Sequence, residues 1–221
     1  MEKYSKYLEE TQFFDFSNPK IQAYIEEFRD EKYSNRIQEL AIDLYLKIRD
    51  GFLYDPFDLD ISRDGLTFSK VLEKRRAWCV EKAGLMVSCA RALGIPARPG
   101  YAIVRNHLEN EKLEKVLQSD LIVFHGYADL YLNGKWVKCT PAFDKRVCRI
   151  SGVDPLEWDG EQDSLFQEHD KNSQRFMEYV HYYGEFEDVP IELANQEMRK
   201  YYPHLFDNSY SNPDFKFRFE K

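Results

Sequence analysis

The stretch that decides the fold is RRAWCVEKAGLMVSCARALGIPAR, from Arg75 to Arg98. Within it, small and apolar side chains recur along one helix face, at Cys79, Ala83, Met86 and Ala90. Gly94, in front of an Ile-Pro pair, ends the pattern as a helix C-terminus does. The stretch therefore predicts a helix over 79–93, with Cys79 in its first turn on the inward face.

Three strands are predicted after this helix. They cover 97–105, 121–132 and 135–141, with a charged loop over 106–119 between the first two. Asn133-Gly134 joins the last two strands, and both of these residues accept the positive φ of a type I′ turn. The block is expected to form a hairpin beside a third strand.

The two-residue turn also predicts the register of the hairpin, with Asp129 opposite Lys138. The alternating apolar residues of the longer strand then form the face toward the core, and His125 lies on the other face. Its diagonal neighbours in a regular ladder are Thr140 and Asp144, at roughly 7–8 Å. Either side chain is predicted to lie within reach of the imidazole, although Pro141 interrupts the ladder.

Helices are also predicted on both sides of this block. Apolar residues at helical spacing predict one helix over 19–30 and a second over 35–51. The chain from 153 to 221 is predicted to be rich in loops and to wrap the core, with one helix over 191–202 and a short edge strand at 215–219.

The composition is that of a folded protein with an uneven acidic charge. The 221 residues carry a net charge of −8, with 43% hydrophobic and 15% aromatic residues, which suits one elaborated domain. The segment from Asp154 to Glu192 contains twelve carboxylates and only two basic residues. The remainder is nearly neutral and lacks the basic stripe that phosphate backbones require, so nucleic acid is not an expected partner.

Neither a secretory signal nor a membrane helix is predicted from this sequence. Residues 1–16 contain no apolar run of signal-peptide length, and no later run approaches the roughly 18 apolar residues of a membrane helix. A cytoplasmic location and four free thiols are therefore expected, at Cys79, Cys89, Cys139 and Cys148. Their spacings do not match a zinc site, and no metal is predicted.

Cys79 and His125 together have the parts of a nucleophilic site. The positive end of a helix and a nearby imidazolium lower the pKa of a thiol, and the backbone N–H groups at the helix start can stabilise an oxyanion. His125 would then protonate the leaving amine. Taken alone, Cys79 is more simply explained as a small buried residue.

The sequence resembles the transglutaminase-like superfamily in two blocks, Arg75 to Arg98 and HGYADLYLNGKWVKCTP from His125 to Pro141. The likeness covers about 35–144. It implies a papain-like α+β fold, with helices packed on an antiparallel sheet or half-barrel. It also implies that Cys79 is the nucleophile and His125 the base, and that Trp78 helps to form the oxyanion site.

One position departs from that family. Thr140 stands where the resemblance implies an aspartate before proline. A threonine hydroxyl can orient an imidazole but carries no charge to stabilise imidazolium. Three alternatives follow: Thr140 suffices, Asp144 supplies the carboxylate, or the site has become a binding module.

The resulting hypothesis is a cysteine acyl-transfer enzyme that hydrolyses a peptide, protein or small amide substrate through a thioester, without a cofactor. Trp78 and Tyr127 are the predicted substrate-binding residues. The predicted domains are a core over 1–150 and an acidic, aromatic extension over 151–221. One alternative is an inactive domain that binds a peptide or protein, and another is a surface function of the acidic segment. Oligomeric state is left open.

Overall fold

The computed structural model describes residues 2–106, 111–167, 169, 171–173, 176–207 and 212–219. The α-helices of this part are α1 Pro19–Tyr24, α2 Ile37–Gly51, α3 Cys79–Ala92, α4 Glu111–Leu117, α5 Lys145–Ile150 and α6 Ile191–Tyr201. The strands are β1 Leu53–Tyr54, β2 Asp58–Asp60, β3 Arg76–Ala77, β4 Ala97–Asn106, β5 Leu121–Leu132, β6 Lys135–Cys139, β7 Met177–Glu185 and β8 Lys216–Arg218.

The main sheet has four antiparallel strands in the order β6-β5-β4-β7. Two short parallel pairs, β1 with β3 and β2 with β8, lie outside it. Helices pack on the sheet, and α3 has its most extensive contact there with β5. The fold is therefore α+β with helices against an antiparallel sheet, as the sequence predicts.

The hairpin of β5 and β6 has the predicted register. Asp129 lies opposite Lys138 and Tyr131 opposite Trp136. Asn133 takes a φ of 49° in the turn, which is the conformation that its sequence predicts. β6 ends at Cys139, two residues before the predicted end.

Helix α3 is the central element of the fold rather than an amphipathic surface helix. Every residue from Cys79 to Arg91 is buried. A Cβ on Gly126 of β5 would come within 2.9 Å of the Val80 Cα, so a side chain there would push the helix off the sheet. The glycine therefore allows the start of α3 to lie directly on β5.

Lys82, a buried lysine of α3, is hydrogen-bonded to backbone carbonyls. Lys82 Nζ donates to the carbonyls of Arg49, Phe52 and Ala142, at 2.7, 2.9 and 2.7 Å. Because buried polar groups are costly unless they are hydrogen-bonded, these contacts make a lysine tolerable inside the core. They also tie α3 to the end of α2 and to the segment that follows β6.

Several local expectations are corrected. The helix predicted over 19–30 is α1 followed by a 3₁₀ turn at Glu26–Arg29. The loop predicted over 106–119 contains α4, and residues 107–110 within it lie outside the described part.

The largest difference concerns the chain after residue 153. The sequence predicts loops, one helix and a short edge strand there. The structure has β8 within the predicted edge strand and adds β7, which pairs with β4 along the main sheet. Side chains from residues after 153 cover the face of β5 that carries His125, which the sequence predicted to lie away from the core. His125, Tyr127 and Asp129 are consequently all buried.

Candidate active site

Cys79 occupies the first position of α3 and is only 1% exposed. Burial raises the pKa of its thiol to about 11, against the backbone N–H groups of Gly126, Val80 and Cys79 itself, which lower it. Two of these N–H groups belong to the first turn of the helix, where no intrahelical acceptor exists. The thiol thus sits among donors that can stabilise negative charge.

Trp78 caps α3 and lines the same small cavity as Cys79. Its backbone N–H donates to the Glu81 carboxylate at 3.3 Å. Its indole Nε1 is buried and has no hydrogen-bond partner within the described residues. A buried indole N–H normally finds an acceptor, so an unpartnered one at the wall of a cavity is unusual.

Tyr54 is a neighbour of Cys79 that the sequence analysis missed. The parallel pairing of β1 with β3 places Tyr54 beside Ala77, two residues before the cysteine. Burial raises the pKa of the Tyr54 hydroxyl, and the nearby Cys79 thiol adds to that rise. A two-residue strand such as β1 carries no periodic signal, so hydrophobic periodicity does not reveal this neighbour.

A larger cavity of about 210 Å³ adjoins the first one. The two share several lining residues: Tyr54, Pro56, Leu113 and Ile122. Phe57, Phe143 and Met177 add apolar surface to the larger cavity, and Arg76 pairs with Asp55 at its wall, at 3.6 Å. The Cys79 cavity therefore borders a larger, mostly apolar cavity, which is called the vestibule below.

His125 lies on β5 and is 2% exposed. Burial lowers the pKa of its imidazole to about 4. Neither ring nitrogen has a hydrogen-bond partner among the described residues, so no such bond joins His125 to Cys79. At neutral pH the resting site holds a thiol and a neutral imidazole, in contrast to the thiolate that the sequence analysis expected.

Thr140 and His125 line one cavity, with Phe166 among the residues that close it. The Thr140 hydroxyl has no hydrogen-bond partner in the part of the chain that the structure describes. The predicted proximity of these two residues is therefore present, without a direct hydrogen bond between them.

Asp144 has a different environment from the one that the regular ladder predicts. It caps α5, and its carboxylate accepts the backbone N–H groups of Arg146, Val147 and Tyr54, at 2.8, 3.1 and 2.6 Å. Strand β6 ends at Cys139, and the residues that follow it lead to the N-terminus of α5, where Asp144 is the N-cap. The carboxylate is thus engaged by backbone donors rather than by the imidazole.

Tyr127 does not share the cavity of Cys79. Its ring packs over Gly100, where a Cβ would come within 2.2 Å of it, and its hydroxyl donates to Glu185 at 2.8 Å. Nearby, Asp129 accepts from Arg98 at 2.9 Å. Tyr127 therefore belongs to a buried polar network of the sheet.

The described residues contain no group of three or more His, Cys, Asp or Glu side chains arranged to hold a metal ion. The four cysteines are free and buried. Within the same part of the chain, no helix has the length and apolar character needed to cross a bilayer.

The sequence model of the transglutaminase-like superfamily matches residues 22–141, which is more than half of the chain. Both blocks that carry Cys79, His125 and Thr140 lie within the match. The chain belongs to the transglutaminase-like superfamily.

Among solved structures, the chain is similar to a candidate cysteine protease from Cytophaga hutchinsonii. The two are 21% identical with a TM-score of 0.41, and the match covers 64% of this chain and 42% of that one. The chain thus spans less than half the length of that protein. No curated protein matches the chain.

Proposed function

We propose that this protein is a cysteine acyl-transfer enzyme that hydrolyses an amide bond through a thioester on Cys79. The observation that carries the proposal is the set of donors at the start of α3. The N–H groups of Cys79, Val80 and Gly126 adjoin the thiol. Trp78 lines the same cavity, and its buried Nε1 has no partner among the described residues. Such donors stabilise an oxyanion at the attacked carbonyl.

In the proposed reaction, Cys79 Sγ bonds to the amide carbonyl carbon and its proton passes to His125. The imidazolium then gives this proton to the leaving amine as the C–N bond breaks. Water attacks the thioester, releases a carboxylic acid and restores the thiol. The products are one amine and one acid, which balances the amide and the water consumed.

The proton transfer requires His125 to approach Cys79. Neither ring nitrogen is hydrogen-bonded to another described residue, so the movement breaks no hydrogen bond between the ring and those residues. Hydrogen bonds between catalytic groups are often long before substrate binds and shorten in the complex. The neutral thiol and imidazole of the resting protein would form the ion pair only with substrate in place.

The vestibule supports a substrate class. Phe57, Phe143 and Met177 offer apolar surface to the part of the substrate next to the scissile amide. Apolar walls with few polar groups are typical of sites that bind an apolar side chain. The proposed substrate is therefore a peptide or other amide with an apolar acyl side chain.

The test is trapping of the thioester with hydroxylamine, using a library of peptide amides with apolar or charged acyl residues. Mass spectrometry should find the acyl group on Cys79 and hydroxamates only from apolar substrates. Cys79→Ala should abolish the product. Cys89→Ala is the matched control, because Cys89 is a buried thiol on the same helix. Equal hydroxamate formation by the two variants would refute the proposal.

A second function, binding of a peptide or protein without catalysis, is favoured by one observation. The imidazole lacks a carboxylate partner, since Thr140 replaces the aspartate of the family and Asp144 caps α5. In this case Cys79→Ala would bind the apolar peptides with unchanged affinity, and no acyl adduct would form in either protein.

We further propose a cytoplasmic location, supported by four free cysteines. The division into a core over 1–150 and an extension over 151–221 is retained as a proposal. Expression of residues 1–150 alone tests it through the thermal melt, which should be cooperative if the core folds independently.

A further inference from the structure

Three buried polar side chains near the proposed site have unpartnered atoms. Both nitrogens of His125, the hydroxyl of Thr140 and the hydroxyl of Tyr179 make no hydrogen bond within the described part of the chain. The His125 and Tyr179 rings meet edge to face, with centroids 6.1 Å apart. Unpartnered buried polar groups usually indicate a bound water, an ion or a functional role.

Tyr179 reaches this position because β7 is irregular. The register with β4 passes from Ile103 opposite His181 to Val104 opposite Tyr179, so Val180 is an extra residue. Residues three apart on a regular strand face opposite sides, yet Tyr179 and Tyr182 stack with centroids 4.6 Å apart. Such a bulge redirects a side chain and is common beside functional sites.

Strand β4 lies between His125 on β5 and the stacked rings of Tyr179 and Tyr182 on β7, and a small residue of β4 leaves room for the contact of His125 with Tyr179. Ala102 of β4 lies opposite both His125 of β5 and Tyr182 of β7. Directly opposed residues share a face of the sheet. A methyl group at this position lets an aromatic side chain extend across β4 toward the imidazole, whereas a larger residue would separate them.

The cavity beside His125 and Thr140 has room for one water molecule. The cavity lined by His125 and Thr140 has about 10 Å³ available to water centres, close to the minimum for one buried water. A water in a polar cavity needs two to four partners. His125 and Thr140 line the cavity, and the Tyr179 hydroxyl, whose residue is not part of the lining, lies beside the Thr140 hydroxyl. Burial raises the pKa of the Tyr179 hydroxyl against the opposing effect of the nearby Thr140 hydroxyl, so Tyr179 is a neutral donor.

We propose that Tyr179 is a positioning residue for His125, acting together with Thr140 through one bound water in the place that a carboxylate fills in the family. The ring N–H of His125 donates to the water, the Tyr179 hydroxyl also donates to it, and the water donates to Thr140 Oγ1. The arrangement fixes one tautomer of the neutral imidazole. This inference rests on the proposed function for its catalytic meaning, but its geometry can be tested without activity.

The experiment is nitrogen NMR of protein labelled with ¹⁵N-histidine at pH 7, with the His125 signals assigned from a His125→Gln variant. The wild type should show one dominant tautomer. Tyr179→Phe should change the tautomer ratio by about fivefold, which corresponds to a hydrogen bond of about 1 kcal/mol. Tyr182→Phe is the matched control, because that ring belongs to the same stack but is 49% exposed.

A shared water also predicts non-additive variants. Thr140→Val should change the ratio, and adding Tyr179→Phe should change it little further. A wild-type tautomer ratio in Tyr179→Phe would overturn the proposal, and so would a double variant whose change equals the sum of the two single changes. If Tyr179→Phe does not fold, a crystal structure of the unsubstituted protein decides: a water bonded to all three groups supports the proposal, and a direct bond from His125 to Asp144 overturns it.

The two proposals fail in different ways. A tautomer shift in a protein without amide turnover would refute the enzyme while leaving the positioning role intact. Turnover by Cys79 with an unshifted tautomer in Tyr179→Phe would refute only the positioning role. Where turnover is present, Tyr179→Phe should lower kcat about fivefold with KM unchanged.

Discussion

The two halves of the candidate site are built in different ways. Around Cys79, donors come from the start of a helix and from the strand beneath it, within a few residues of the thiol. Around His125, the neighbouring groups come from distant parts of the chain, Thr140 after β6 and Tyr179 on β7. A helix start carries its own orphan N–H groups, whereas an imidazole depends on tertiary structure for a partner.

The variant with the largest expected effect on this comparison removes the imidazole of His125. His125→Ala should lower amide turnover by about 10²–10⁴-fold, the usual contribution of a general acid and base. The measurement is kcat/KM on the best apolar peptide amide. His181→Ala is the control, because His181 is exposed on β7. Similar losses of kcat/KM in both variants would show that the loss in His125→Ala does not come from His125 acting together with Cys79.

The second test removes one donor from the Cys79 half. Trp78→Phe should lower kcat by about 10²–10³-fold, as expected for an oxyanion donor, with little change in KM. Trp158→Phe is a matched control, because its Nε1 is also buried without a described partner but its ring packs on Tyr45. A larger change in KM than in kcat would assign Trp78 to substrate binding.

The third test uses pH to probe the burial of His125. Its pKa falls from 6.5 to about 4 on folding, so the unfolded chain binds more protons between these values. This contribution to stability is present above pH 6.5 and is lost as the pH falls toward 4. Urea unfolding should show a loss of about 2 kcal/mol between pH 7 and pH 4.5 that His125→Gln lacks. A parallel loss in the variant would contradict a buried neutral imidazole.

The smallest expected effect comes from returning a carboxylate to the His125 half. Thr140→Asp should raise the pKa of His125 by about one unit, equivalent to about 1.4 kcal/mol, because an adjacent negative charge favours imidazolium. Thr140→Asn provides the uncharged control. Titration by NMR measures the shift, and an unchanged pKa would mean that position 140 does not face the ring.

The parts of the fold that could be predicted are those with local signals. Gly94 and the spacing around Cys79 indicated α3, and Asn133-Gly134 indicated the register of β5 and β6. β7 was missed, because its run of aromatic and polar residues has no clean alternation and contains a bulge. α4 was missed because its charged residues are equally typical of a loop.

The residues of the candidate site also differ in whether a local sequence signal reveals them. Cys79, His125 and Trp78 could be proposed from motif and resemblance, since each lies in one of two contiguous blocks. Tyr54 and Tyr179 were not, because they reach the site through strand pairings that no short stretch of sequence encodes. The role of Asp144 as a cap also depends on where β6 ends, which the pattern placed two residues too late.

The sequence by itself determined where α3 begins, which residue opens it and how the hairpin of His125 is paired, because helix starts and tight turns depend on neighbours along the chain. Only the tertiary structure decided the charge state of the site. Burial by segments far along the chain raises the pKa of Cys79 to about 11 and lowers that of His125 to about 4. Desolvation depends on everything packed around a group, and no local pattern records it.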